Sequence, residues 1–144
     1  MLKKVLIAIT ALVGAYFAVE QSAPVFQRSP GAQSGNAELI RAIDERRTAY
    51  QVQGSGTVIR VLSDDNDGSR HQRFILELES EQTLLIVHNI DLAPRIDNLD
   101  PGDTVSFYGE YEWNDRGGLI HWTHHDPGGQ HIDGWIEHNG KRYK

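Results

Sequence analysis

The stretch Thr104-Val105-Ser106-Phe107-Tyr108-Gly109-Glu110-Tyr111-Glu112-Trp113 decides the fold class. Val105, Phe107, Gly109, Tyr111 and Trp113 alternate with Thr104, Ser106, Tyr108, Glu110 and Glu112. Successive side chains of a strand point to opposite faces, so a period of two marks a half-buried β-strand rather than a helix. Pro101-Gly102 before it and residues 114–118 after it supply turn chemistry. The same signal recurs upstream. In 71–79, Gln72, Phe74, Leu76 and Leu78 alternate with Arg73, Glu77 and Glu79, and Ile75 is the one apolar residue on the polar side. Residues 83–90 are apolar on both faces and require burial or cover. Thr57, Ile59 and Val61 mark one face of a β-branched run at 57–62, and 119–124 reads as a fifth strand.

The polar segment 63–69 separates the first two strands. Residues 92–99, with Pro94 early among them, read as a short helical turn or ordered loop between the third and fourth. This order predicts a mainly β fold, a small OB-like five-stranded barrel. Gly109 is the candidate bend that closes it. Asn36 reads as a helix cap, after which Leu39, Ile40, Ile43 and Tyr50 share one face while Arg41, Asp44 and Glu45 point outward. An N-terminal amphipathic helix is therefore expected at 37–49, broken by Gly54 and Gly56. At the other end Asn139-Gly140, a dipeptide that suits a type I′ turn, lies between 135–138 and 141–143 and predicts a C-terminal β-hairpin.

Lys3 and Lys4 precede fifteen uncharged residues, 5–19. As a helix this run would reach roughly 22 Å, short of a bilayer core of about 30 Å, which favours an export signal over a spanning segment. No small-x-small pair closes the run and Pro24 follows Ala23, so an uncleaved N-terminal anchor stays open beside a cleaved signal peptide. Residues 20–35 read as a linker and 36–144 as a single domain. The expected location is periplasmic or secreted, or membrane-anchored if the segment is retained. Residues 37–144 carry eleven Lys plus Arg against nineteen Asp plus Glu, a balance that argues against nucleic acid as the main partner. The chain has no cysteine, so the domain is held by its core, or by its core and a bound ion.

The most unusual segment runs from His121 to Asp133 and holds four of the seven histidines within eleven positions. Imidazole is a common ligand of zinc and related ions, so His121, His124, His125, Asp126 and His131 form a candidate divalent-metal set. If 121–124 is a strand, His121 and Thr123 share one face and Trp122 and His124 the other. The turn at Asp126-Pro127-Gly128-Gly129 would then bring His125, Asp126 and His131 together, joined by His121 or His124. The spacing matches no standard ligand motif. His124 equally suits a hydrogen-bonded core histidine beside Ile120 and Trp122, and Asp126 equally suits local amide bonding. His88, on an apolar strand, reads as a satisfied core residue, and His138, before the hairpin turn, reads as exposed. The acidic run at 64–68 fails the EF-hand ligand template and reads as a solvated turn.

Aromatic side chains with a nearby cation define a second candidate surface: Arg73, Tyr111, Trp113 and Trp122, for stacking against a single-stranded nucleic acid or a glycan. Tyr111 and Trp113 share a strand face with Phe107, however, and that face also suits a barrel interior. No nucleophile elbow or phosphate-binding glycine loop is present in the sequence.

Tyr108-Gly109-Glu110-Tyr111-Glu112-Trp113, His121-Trp122-Thr123-His124-His125-Asp126-Pro127 and Gly134-Trp135-Ile136 together resemble a family of small exported bacterial proteins known only as a domain of unknown function. Residues 56–65, His71-Gln72-Arg73-Phe74 and His88-Asn89-Ile90-Asp91-Leu92 are similar too, so the likeness spans 37–143. It implies a bacterial source and no established activity, and it carries over no catalytic residues. The leading expectation is a non-enzymatic binding module of the cell envelope, with an unidentified envelope ligand or protein partner and a histidine-bound ion such as zinc as its candidate cofactor. A metal-dependent hydrolase using the same histidines is the first alternative. The single-strand or glycan binder is the second.

Overall fold

The alternating stretch becomes β4 (Thr104–Glu112), whose Val105, Phe107 and Tyr111 are fully buried. It is the central strand of a computed structural model that describes residues 30–144, with side chains from residue 35 onward. The export segment expected at 1–19 lies outside the described residues. Around β4 stand α1 (Pro30–Asp44), β1 (Tyr50–Val61), β2 (His71–Glu77), β3 (Thr83–Asn89), β5 (Leu119–His121), β6 (Trp135–His138) and β7 (Lys141–Tyr143).

The sheet order is β1-β2-β3-β5-β4, and β1 also pairs with β4, which closes a five-stranded barrel of OB type. The β3–β5 pair is parallel and the other barrel pairs are antiparallel. Phe74, Leu76, Leu84, Ile86, Phe107 and Ile120 fill its interior. The C-terminal hairpin forms as expected, with Asn139 and Gly140 both at positive φ, and β6 adds to β4.

Three sequence expectations change. The first strand begins at Tyr50 and runs straight through Gly54 and Gly56. These glycines do not break structure. β1 pairs β4 along Tyr50–Thr57, then β2 from Thr57 to Val61, and a register shift at Val58/Arg60 marks the crossing. A Cβ at Gly56 would lie 2.7 Å from the Glu77 carbonyl oxygen, so glycine is what lets one strand serve both neighbours. At Gly109 a Cβ would lie 2.6 Å from the His121 carbonyl oxygen, which shows how closely β5 is drawn onto β4.

The helix spans Pro30–Asp44 rather than 37–49, taking in residues read as linker. It ends in a Schellman arrangement: Arg46, at φ 54°, donates to the Ile43 carbonyl and Arg47 donates to the Ala42 carbonyl. Asn36 lies inside the helix, so it does not cap it. Its side chain clamps β1 instead, accepting from the Ser55 amide at 2.8 Å and donating to the Ser55 carbonyl at 3.1 Å. Residues 90–103 plug one end of the barrel through Ala93, Ile96 and Leu99, and the Gln72 amide grips the Ile96 backbone at 3.0 and 2.9 Å.

Candidate metal centre

One edge of β4 is shared end to end by two strands. Glu110 pairs with His121 of β5, while Val105 to Tyr108 pair with β6. Residues 122–134 leave that edge and return to it. The excursion starts where Trp122 takes a left-handed backbone, φ 53°, which ends β5 three residues earlier than expected. His121 therefore stays on the outer face and Thr123 turns fully inward. The excursion closes where the Gly134 amide donates to the His124 carbonyl at 2.9 Å.

Glu110 lies where these pieces meet. His121 Nε2 is 3.2 Å from its Oε1, and His131 Nε2 is 2.6 Å from its Oε2. Glu112, two residues along the same face, places Oε1 3.6 Å from His121 Nε2. One ligand atom from each of Glu110, Glu112 and His121 lies within 4.8 Å of the other two, and all three side chains are half-buried. The Thr48 hydroxyl donates to Glu112 Oε2 and holds that carboxyl below its ordinary range, with His121 acting in the same direction. Across β1, Gln51 is the Cα partner of Glu110. Both of its amide atoms are buried without a hydrogen-bond partner, and no other described side chain has such atoms. A buried orphan amide costs about 1–3 kcal/mol unless an ion or water meets it.

The five residues of the sequence-derived metal set part company. His121 and His131 meet at Glu110. His124 is 3% exposed and hydrogen-bonds the His125 carbonyl through Nδ1 at 2.7 Å. His125 is exposed and pairs with Asp133 at 2.6 Å. Asp126 accepts the amides of Gly128, Gln130 and His131 at 2.7–2.9 Å, which hold its carboxyl below the usual range. Asp133 bonds the Asp126 amide and His125, so the two aspartates lace the excursion together.

Of the aromatic set, Tyr111 is fully buried and its hydroxyl donates to the Gly117 carbonyl. Trp113 lies under Arg46, 5.1 Å from ring centre to guanidinium, and Arg73 donates to the Ser63 carbonyl. Trp122 stacks in parallel on His131 with centroids 4.0 Å apart. These four residues form no common stacking surface. His88 is fully buried, bonded to the Thr123 hydroxyl at 2.8 Å and to the Pro94 carbonyl at 3.1 Å, and burial pushes its pKa down to about 4. The exposure expected for His138 is corrected: it is 2% exposed and bonded to Asp103 at 2.8 Å, because position 138 faces inward on β6.

Glu110, Glu112 and Gln51 were missed. The carboxylates read as the solvent side of β4, and Gln51 lay in a segment assigned to no strand. One signal was available. A hairpin of 104–113 and 119–124 around the turn at 114–118 brings these carboxylates within one residue of His121, but it sets Tyr111 opposite His121, and the observed ladder is shifted by one so that Glu110 takes that place.

The fold and this cluster together define a closed OB-type barrel carrying a carboxylate–imidazole site on its outer face. The chain belongs to the family described as Protein of unknown function (DUF3465), whose model matches residues 23–144. No curated protein matches it.

Proposed function

We propose that the protein is an exported binding module of the bacterial cell envelope whose site is a divalent-cation centre formed by Glu110, Glu112 and His121. The observation that carries this reading is the convergence of those three ligand atoms within 4.8 Å. Two carboxylates and an imidazole suit zinc or a similar ion, and three protein donors leave positions open for a ligand. The orphan amide of Gln51 beside Glu110 supports it, because the amide would gain a partner in the bound ion's shell. The charged pair Lys3 and Lys4 before the apolar run 5–19 supports export.

The test is the metal content of the full chain purified without chelator, followed by calorimetric titration with zinc, nickel, copper and calcium. Near-stoichiometric metal is expected, with affinity falling at least tenfold in Glu110→Gln and His121→Ala. His125→Ala should bind as the parent does, because His125 is tied to Asp133 instead. Metal in neither parent nor variants after incubation with all four ions would sink the reading. The open coordination positions also favour the hydrolase alternative as the second reading. Turnover of a phosphoester or peptide probe by the metal-loaded chain, lost in Glu110→Gln, would establish it.

A further inference from the structure

A recess of about 170 Å³ opens beside the cluster and shares His121 with it, its other walls being His71, Val87, Asn89, Leu92, Trp122 and His124. Three of its polar side chains have fixed roles. A backbone carbonyl can only accept, so His71 must donate from Nδ1 to the Ser69 carbonyl at 2.8 Å, and His124 from Nδ1 to the His125 carbonyl at 2.7 Å. In the neutral ring each Nε2 is then a bare lone pair. Asn89 Oδ1 accepts from the Asp91 amide at 2.9 Å, which leaves the Asn89 NH2 as a donor. Val87 and the exposed Leu92 supply apolar wall, and Trp122 adds its indole.

We propose that this recess binds one uncharged six-membered ring bearing hydroxyl groups. The size follows from volume: a cavity of about 150 Å³ accepts benzene. The hydroxyls follow from hydrogen-bond accounting. Two imidazole lone pairs can accept and an amide NH2 can donate, and a hydroxyl answers both at once. An ammonium group donates but cannot satisfy Asn89. A carboxylate accepts but faces two lone pairs. The histidines of the recess do not bring three ligand atoms within 4.8 Å of one another: among the described residues the one such group is Glu110, Glu112 and His121. The ring's carbon face would lie on Val87, Leu92 and Trp122. A pyranose and a monocyclic phenol share this chemistry.

The test is an NMR titration of the full chain, with chelator present so that the result is independent of the cation centre. The probes are methyl glucopyranoside, catechol and cyclohexane. Saturable shifts confined to His71, Val87, Asn89, Trp122 and His124 are expected with a hydroxylated ring, and whichever of the two binds identifies the source. Affinity should fall at least fivefold in His71→Ala and in Asn89→Leu. Long-range proton–nitrogen spectra should show bare Nε2 on His71 and His124. No saturable shift with either hydroxylated ring overturns the proposal. So does cyclohexane binding as well as they do, unchanged affinity in both variants, or bare Nδ1 on these two histidines.

Discussion

Two irregular excursions leave the barrel, and they are anchored in opposite ways. Residues 90–103 bury Ala93, Ile96 and Leu99 in the barrel end. Residues 122–134 bury no large aliphatic side chain, and Ile132 is 55% exposed. They are held by hydrogen bonds to Asp126 and Asp133 and by the Gly134 amide. An apolar anchor consumes the side chains it uses. A polar anchor made largely from backbone amides leaves side chains free, and His131 and Trp122 are placed against Glu110 and His121 by that means. The first excursion is a plug, and the second is a mount for chemistry.

The largest effect should come from removing the plug's anchor. Ile96 is fully buried, and Ile96→Ala should cost about 2–5 kcal/mol in urea unfolding, the transfer and cavity terms of a large-to-small core change. A cost below about 1 kcal/mol would show that the two excursions do not differ as claimed.

His88 joins the two excursions, since its ring contacts Pro94 of one and Thr123 of the other. Nε2 must donate to the Pro94 carbonyl, so the neutral ring accepts the Thr123 hydroxyl at Nδ1. Burial holds its pKa at about 4, against an ordinary 6.5. Between those values the unfolded chain binds a proton that the folded chain refuses, so stability rises with pH through this window and is level above it. Acidification from pH 7 to pH 4 should therefore remove about 3 kcal/mol through this one group. In His88→Gln the same acid range should cost correspondingly less. Equal pH slopes for parent and variant in urea unfolding would remove His88 as the cause.

The barrel was legible where local pattern and tertiary role agree. The period of two at 104–113 and the Asn139-Gly140 turn each specify their geometry within a few residues, and both elements formed. The start of β1 was not legible, because Gly54 and Gly56 look locally like breakers and only barrel closure gives them another purpose. The site divides along the same line. A cluster of histidines is visible in composition, yet their partners are set by register across β4 and β5 and by a left-handed Trp122. Composition therefore singled out His125 and Asp126, which the fold uses to lace the loop, and overlooked Glu110 and Glu112.

The smallest effect, and the most telling about the mount, should come from Asp126→Asn. The carboxylate accepts three amides, and those amides hold it ionised below the usual range. Its contribution is thus present above the unfolded-state pKa of an aspartate and fades as pH falls through the lowered folded value. The asparagine keeps one acceptor oxygen and loses the charge. Global stability should change little, because no apolar core is touched. Amide exchange at Gln130 and His131 should accelerate by roughly tenfold, the consequence of about one net hydrogen bond lost. Exchange in 90–103 should be unaffected. His131 reaches Glu110 only while the loop is closed, so the Trp122–His131 stack should loosen in parallel, visible as changed ring-current shifts. Accelerated exchange spreading equally into 90–103 would mean that the two excursions open as one unit, and the division between plug and mount would fail.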